Sequence, residues 1–90
     1  MATPVKFQGF TDFLNAPAGM DDCVALPILR IADGQIVSCW KLTPEEIENI
    51  QKTGVIWLSV FSGRTQPPVF VSGENYITYG GEPSEPILDN

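Results

Sequence analysis

The apolar and polar positions are most clearly patterned between residues 23 and 41, where they predict a β-hairpin. Two apolar runs flank Asp33-Gly34, a dipeptide typical of two-residue hairpin turns. If this turn pairs Ala32 with Gln35, Ile28 lies opposite Cys39. Pro27 has no backbone N–H, so its end of the strand is expected at a sheet edge or a bulge.

The two faces of this hairpin differ in polarity, and we expect the more apolar face to meet the core. Under the proposed register that face carries Leu29, Ile31, Ile36, Ser38 and Trp40. The opposite face carries Ile28, Arg30, Val37, Cys39 and Lys41.

Residues 43–54 carry the signals of a short helix. Thr43 is a good N-cap, Pro44 suits the first helical position, and Glu46 completes a capping box. Gly54 can close the helix. Two isoleucines one turn apart give a narrow apolar stripe, so we expect the helix to pack on a sheet by one face.

The run 55–61, VIWLSVF, is β-branched and aromatic with almost no polar residue. Such a run suits a central strand covered on both sides, or on one side with a subunit interface on the other. Residues 68–73 read as the next strand, and 75–80 as a possible third short one. Within 1–22 we expect a short strand or an irregular arm packed by its aromatic residues.

These elements predict a small α+β domain with a mainly antiparallel sheet, one short helix packed on a face, and a β-β-α-β-β core. Residues 1–80 form a single domain that includes the N-terminal arm. Residues 81–90 are acidic and contain prolines, so we expect a mobile tail. A chain this short buries a modest core, which favours a homo-oligomer.

Composition narrows the function classes. The net charge is −6, with five basic residues and no basic stripe, so binding of long nucleic acid is not expected. The acidity suits solubility or, alternatively, a partner with a basic surface. No run of about 18 apolar residues predicts a membrane span, and no signal-peptide core is visible, so we expect a cytosolic protein.

Catalysis has weak support in the sequence. The chain has no histidine, which excludes Ser–His and Cys–His pairs. Asp21-Asp22 reads better as a solvated turn than as a catalytic pair, and Cys39 better as a structural thiol than as a nucleophile activated by Lys41. Under the predicted register Cys23 lies too far from Cys39 for a disulfide, and the two cysteines make a poor zinc site. We expect a non-enzyme without metal or cofactor.

Binding has better support, at the loop that follows the run 55–61. This loop offers a guanidinium, a hydroxyl, a carboxamide and backbone N–H groups ahead of Pro67-Pro68, donors that suit a phosphate, a carboxylate or a nucleotide edge. Trp40 and two other cations could add stacking and charge. The predicted ligand-binding residues are Gly63, Arg64, Thr65, Gln66, Trp40, Lys41 and Arg30. The alternative is a plain surface turn, with Arg64 in one ion pair and Trp40 in the core.

Four segments carry a resemblance to a known group of proteins: GMDDCVALPILR, VSCWKLTPEE, GVIWLSV and SGRTQPPV. Together they resemble small uncharacterised proteins encoded by tailed bacteriophages and prophages. The match spans about residues 19–70 and implies no catalytic residue.

The resemblance implies an accessory factor that disables a host defence pathway in the host cytoplasm. The favoured mechanism is sequestration of a nucleotide-derived immune signal, in a pocket at an oligomer interface. The alternative is an inhibitor that binds and blocks a host defence protein directly. Sequestration predicts that the basic and aromatic residues converge, whereas direct blocking predicts an exposed apolar or acidic patch.

Overall fold

Small antiparallel sheets and one helix make up the protein in a computed structural model that describes residues 1–14, 25–61, 63–75 and 77–87. This architecture confirms the predicted α+β class. Asp21, Asp22 and Cys23 lie outside the described residues, as does the proposed spacing between the two cysteines.

The described residues form eight short strands and one α-helix. The strands are β1 (Thr3–Phe7), β2 (Asp12–Leu14), β3 (Leu26–Arg30), β4 (Ile36–Val37), β5 (Cys39–Lys41), β6 (Thr78–Tyr79), β7 (Glu82–Pro83) and β8 (Pro86–Ile87). The helix α1 spans Pro44–Thr53, between β5 and β6. The strand orders are β5-β1-β8, β2-β3-β4 and β6-β7, and every described pair is antiparallel.

The N-terminal residues form a strand and an aromatic cluster, as the sequence predicted. β1 is the central strand of its sheet: its first residues pair with β5 and its last with β8. The rings of Phe7 and Phe10 lie 6.4 Å apart, and those of Phe10 and Phe13 pack edge-to-face at 5.3 Å. These contacts link β1 to β2 through their aromatic side chains.

The hairpin formed by β3 and β4 is present, but its register differs by one residue from the prediction. Three residues, Ala32–Gly34, form the turn, and the Ile31 amide donates to the Gln35 carbonyl at 3.0 Å. Leu29 therefore lies opposite Val37. Asp33 tolerates the left-handed φ of 75° that this longer turn requires.

The predicted assignment of faces is wrong in two respects. Ile36 lies opposite Arg30, so the slip places the residues of β4 on the opposite sides of the hairpin from those predicted. Ile28, expected on the polar face, is 0% exposed. Ile36 and Trp40, expected in the core, remain about half exposed. Cys39 lies opposite Val5 of β1 and not opposite Ile28. At Pro27 β3 is paired with β2 alone, which agrees with its missing donor.

Helix α1 forms as predicted from its local signals. The Thr43 hydroxyl accepts from the Glu46 amide at 3.1 Å, and the Glu46 carboxylate accepts from the Thr43 amide at 2.8 Å. The Thr43 amide is the main reason that the pKa of Glu46 lies below its usual value. Gly54 ends the helix with a left-handed φ of 70°. No residue of α1 is buried, so the expected burial of its apolar stripe against a sheet is not seen.

Replacing Thr43 with alanine is therefore expected to fray α1, since a helix without a buried face depends on its own caps. Loss of this N-cap costs about 1 kcal/mol of helix stability. Amide hydrogen exchange of Glu46 and Ile47 measures it directly. Thr53→Ala is the matched control, because its hydroxyl donates to the Asn49 carbonyl at the other end of the helix. Equal exchange in the two variants would contradict the capping role.

The predicted strands at 55–61 and 68–73 are absent from the described residues. Every described residue from 51 to 75 is exposed. A strand requires a neighbour for its N–H and C=O groups, and the described sheets do not extend to this segment. The predicted β-β-α-β-β order is corrected accordingly, with the strands after α1 supplied by β6, β7 and β8.

The predicted third strand at 75–80 is confirmed as β6, and a Gly80-Gly81 turn joins it to β7. Residues 82–87, which the sequence favoured as a mobile tail, are paired in the structure. The Ser84 hydroxyl is buried and donates to the Gln8 carbonyl at 2.7 Å. The Gln8 amide in turn donates to the Glu85 carbonyl at 2.9 Å. These bonds hold β8 beside β1.

Candidate functional site

The loop 63–66 is the first of three places that hold the predicted binding residues. Gly63 adopts a left-handed φ of 76°, a conformation that glycine reaches without strain. All four residues are exposed, and no described atom lies within 4 Å of the position that a Gly63 side chain would take. The backbone at Gly63 is therefore open to an approaching ligand.

The two arginines of the chain are in different electrostatic environments. The Arg30 Nε donates to the Asp12 carboxylate at 2.9 Å. The Thr11 hydroxyl and then Arg30 hold the pKa of Asp12 below its usual value. Arg64, in contrast, has no ion pair with any described residue. Of the two arginines, Arg64 is therefore the one whose guanidinium is available to bind an anion.

Trp40 and Lys41 lie side by side on β5, opposite Pro4 and Thr3 of β1. The Trp40 indole N–H donates to the Ser38 hydroxyl at 2.8 Å, and the ring is about half exposed. Trp40 is therefore not a core residue, which removes the alternative interpretation of it. Its ring is accessible for stacking.

The structure does not join all seven predicted residues by direct contacts. Arg30 lies on β3, whereas Trp40 and Lys41 lie on β5, which belongs to a different sheet. Among the described residues, no hydrogen bond or ion pair links Arg64 to Arg30, Trp40 or Lys41. The four loop residues stay together because they are consecutive in the chain.

Two open grooves lie elsewhere on the described surface. The first, about 380 Å³, is lined by Thr3, Pro4, Val5, Lys6, Phe13, Ala25, Pro27 and Ile87. The second, about 360 Å³, is lined by Glu46, Asn49, Ile50, Thr53, Val55, Ile56 and Trp57. None of the predicted binding residues lines either groove, and both grooves are mainly apolar.

Cys39 has the environment of a structural thiol. It is partly buried on β5, and this burial raises the pKa of its thiol above the usual value. A raised pKa keeps the sulfur protonated and poorly nucleophilic at neutral pH. Lys41 shares this strand with Cys39, but the main influence on the pKa of the thiol is its burial.

The sequence did not single out the exposed aromatic residues of the segment 55–61. Trp57 is 93% and Phe61 89% exposed, where the pattern favoured a covered strand. The sequence does contain a signal for this exposure. The segment 55–61 has almost no polar residue, a composition that also suits a surface covered by a second subunit. Side chains of this size contribute strongly to protein–protein contacts.

Comparison of the chain with protein-family models, with curated proteins and with solved structures finds no match. Within the described residues no helix has the length and apolar character needed to cross a bilayer. The same residues contain no group of three or more His, Cys, Asp or Glu arranged to hold a metal ion.

Proposed function

We propose that this chain is a small non-catalytic binding protein of the phage accessory type, which inhibits a host defence pathway by sequestering a nucleotide-derived signal. The observation that carries this proposal is the exposed Arg64 guanidinium, which has no ion pair with a described residue. Arginine is the side chain best suited to hold a phosphate through two parallel hydrogen bonds.

The loop around Arg64 supports an anionic ligand. Gly63 leaves space for the ligand against the backbone, and Gln66 adds a neutral donor and acceptor for a base or ribose edge. Pro67 and Pro68 stiffen the chain that follows, so less conformational entropy is lost when a ligand orders the loop. The Thr65 side chain adds a hydroxyl to the polar groups of the loop.

Sequestration is favoured over turnover because the nearby chemistry lacks a general base or an activated nucleophile. The chain contains no histidine, and the pKa of the Cys39 thiol is raised. A ligand held at 63–66 would meet the hydrogen-bond donors of the loop, and these four residues include no group that titrates near neutral pH. The bound signal should accordingly be recovered unchanged.

Arg64→Ala is expected to weaken binding of a phosphate-bearing nucleotide at least about tenfold, because a charge-assisted hydrogen bond contributes about 1.5–3 kcal/mol. Calorimetry with a panel of cyclic nucleotides and ADP-ribose-type molecules measures the affinity, and chromatography of the released ligand reports its integrity. Lys52→Ala is the matched control: it removes the same charge from a residue paired with Glu48 at 3.2 Å.

Three outcomes would contradict the proposal. Absence of binding across the panel rejects sequestration. Equal losses in Arg64→Ala and Lys52→Ala would show that net charge, not the loop, sets the affinity. Chemical conversion of the ligand would show an enzyme.

Direct blocking of a host defence protein is the second candidate function. Two observations favour it. Among the described residues no bond joins Arg64 to Arg30, Trp40 or Lys41, and Trp57 and Phe61 are exposed, as frequent anchors of protein interfaces are. This function requires those side chains to be free of a second copy of the chain. The oligomeric state therefore separates the two candidates.

A further inference from the structure

The isolated chain has far more surface than a folded monomer of its size. Its accessible area is 7579 Å², about 2,400 Å² above the area expected for a monomer of this mass. Its radius of gyration is 14.2 Å, against about 12 Å for a compact domain of this length. Coverage of part of this surface by a partner would account for the excess.

The excess includes a continuous apolar segment, residues 55–61. Besides its two exposed aromatic residues, it leaves Val55, Ile56, Leu58 and Val60 between 38% and 51% exposed. The segment carries no charged side chain. Soluble monomers rarely expose a contiguous apolar surface of this kind.

The backbone of the segment is also unpaired. Residues 56–61 make no backbone–backbone hydrogen bond to any described residue, so their N–H and C=O groups are available for strand pairing. Valine, isoleucine, tryptophan and phenylalanine are favoured in strands. The segment therefore has the side chains of a strand and lacks the neighbouring strand.

We propose that the neighbouring strand is the same segment of a second copy of this chain, paired antiparallel across a twofold axis at Ser59. In this register Trp57 lies opposite Phe61 of the partner subunit, and Leu58 opposite Val60 of the partner subunit. Aromatic and β-branched cross-strand pairs of this kind stabilise antiparallel sheets. A twofold axis makes the contact self-complementary and closed, which limits assembly to a dimer.

Charge favours a second copy over an unrelated charged partner. Each chain has a net charge of −6, so two copies repel each other except where a neutral surface lets them approach. The segment 55–61 is such a surface, and it has no ionic group with which to pair a basic partner.

Light scattering coupled to gel filtration tests the dimer. The wild-type chain is expected to elute with twice the monomer mass, and the double variant W57T/F61T to dissociate with a constant raised at least about a hundredfold. Threonine keeps the strand preference, and both side chains are exposed in the single chain, so the protomer itself should stay folded by circular dichroism. Trp40→Thr removes the other tryptophan and is expected to remain dimeric.

A cross-link tests the register without relying on that variant. Two Ser59→Cys chains related by the proposed axis have Cα atoms about 4.5–5.5 Å apart, within the range that a disulfide spans. Mild oxidation should therefore give a covalent dimer of Ser59→Cys. Neither the wild type nor Ser72→Cys, which places a thiol outside the segment, should do so.

Several results would overturn the proposal. They are a wild-type chain that stays monomeric at every concentration, a double variant as dimeric as the wild type, and a Ser59→Cys chain that cross-links no better than Ser72→Cys. A monomer that binds another protein through Trp57 would support direct blocking instead. The dimer does not depend on ligand binding: Arg64→Ala should remain dimeric, so failure of either proposal is distinguishable.

Discussion

Replacing Ile28 with alanine is expected to lower the free energy of unfolding by about 2–5 kcal/mol. Ile28 is completely buried on β3, so truncation removes apolar contacts and leaves a cavity. For a domain of this size the loss corresponds to a fall in melting temperature of roughly 10 °C or more. Urea unfolding followed by far-UV circular dichroism, at one fixed protein concentration, measures the change.

Ile36→Ala is the matched control for Ile28. It makes the same truncation on β4 of the same hairpin, at a side chain that is about half exposed. Its expected cost is at most about 1 kcal/mol, because little burial is lost. The register predicted from the sequence reverses this order, with Ile36 in the core. Comparison of the two variants therefore decides whether Ile28 or Ile36 lies in the core.

Replacing Phe7 with alanine is expected to destabilise the protein by about 3–5 kcal/mol. Phe7 is 4% exposed at the end of β1. It lies opposite Pro86 of β8 and contacts the ring of Phe10. Its truncation should weaken both the aromatic cluster and the docking of β8. The same urea titration gives the free energy, and amide exchange at Glu85 and Ile87 reports on β8.

Phe13→Ala is the control for Phe7→Ala. It tests whether the cost of losing Phe7 comes from its burial or from its contact with the Phe10 ring. Phe13 packs on the same Phe10 ring at 5.3 Å, but is about half exposed. Loss of an aromatic pair with partial burial is expected to cost about 1–2 kcal/mol. Equal destabilisation by the two variants would show that the aromatic cluster, and not the buried side of β1, provides the stability.

Elements with local causes could be predicted from the sequence. The helix bounded by Thr43 and Gly54 follows from a capping box and a left-handed glycine, which act within one turn. The hairpin between β3 and β4 follows from Asp33-Gly34 between two apolar runs. In both cases the interactions that select the structure join residues close together in the chain.

Properties that depend on distant partners could not be predicted in the same way. One extra residue in the turn at 32–34 changed which residues of β4 share a face with those of β3. The burial of Ile28 depends on the elements packed around β3. The segment 55–61 has the composition of a covered strand, yet the described chain provides no partner for it. The position of β8 beside β1 depends on bonds such as that from Ser84 to Gln8, more than seventy positions away.

For the candidate site as well, some properties follow from the sequence and others only from the tertiary structure. That Arg64 lies in a loop between Gly63 and two prolines is a property of the sequence. That Arg30 is held by Asp12, while Arg64 has no ion pair with a described residue, depends on which strands lie side by side. Composition likewise favoured a structural thiol at Cys39, and partial burial on β5 raises the pKa of that thiol.

The sequence by itself determined the α+β class, the helix with its caps, the hairpin and the loop that carries Arg64. Tertiary structure alone decided the register, the buried residues, the pairing of β8 and the exposure of Trp57 and Phe61. The physical reason is the range of the interactions. Caps and turns are decided by neighbours in the chain, whereas burial and strand pairing depend on surfaces that meet only after folding, or on association with a second chain.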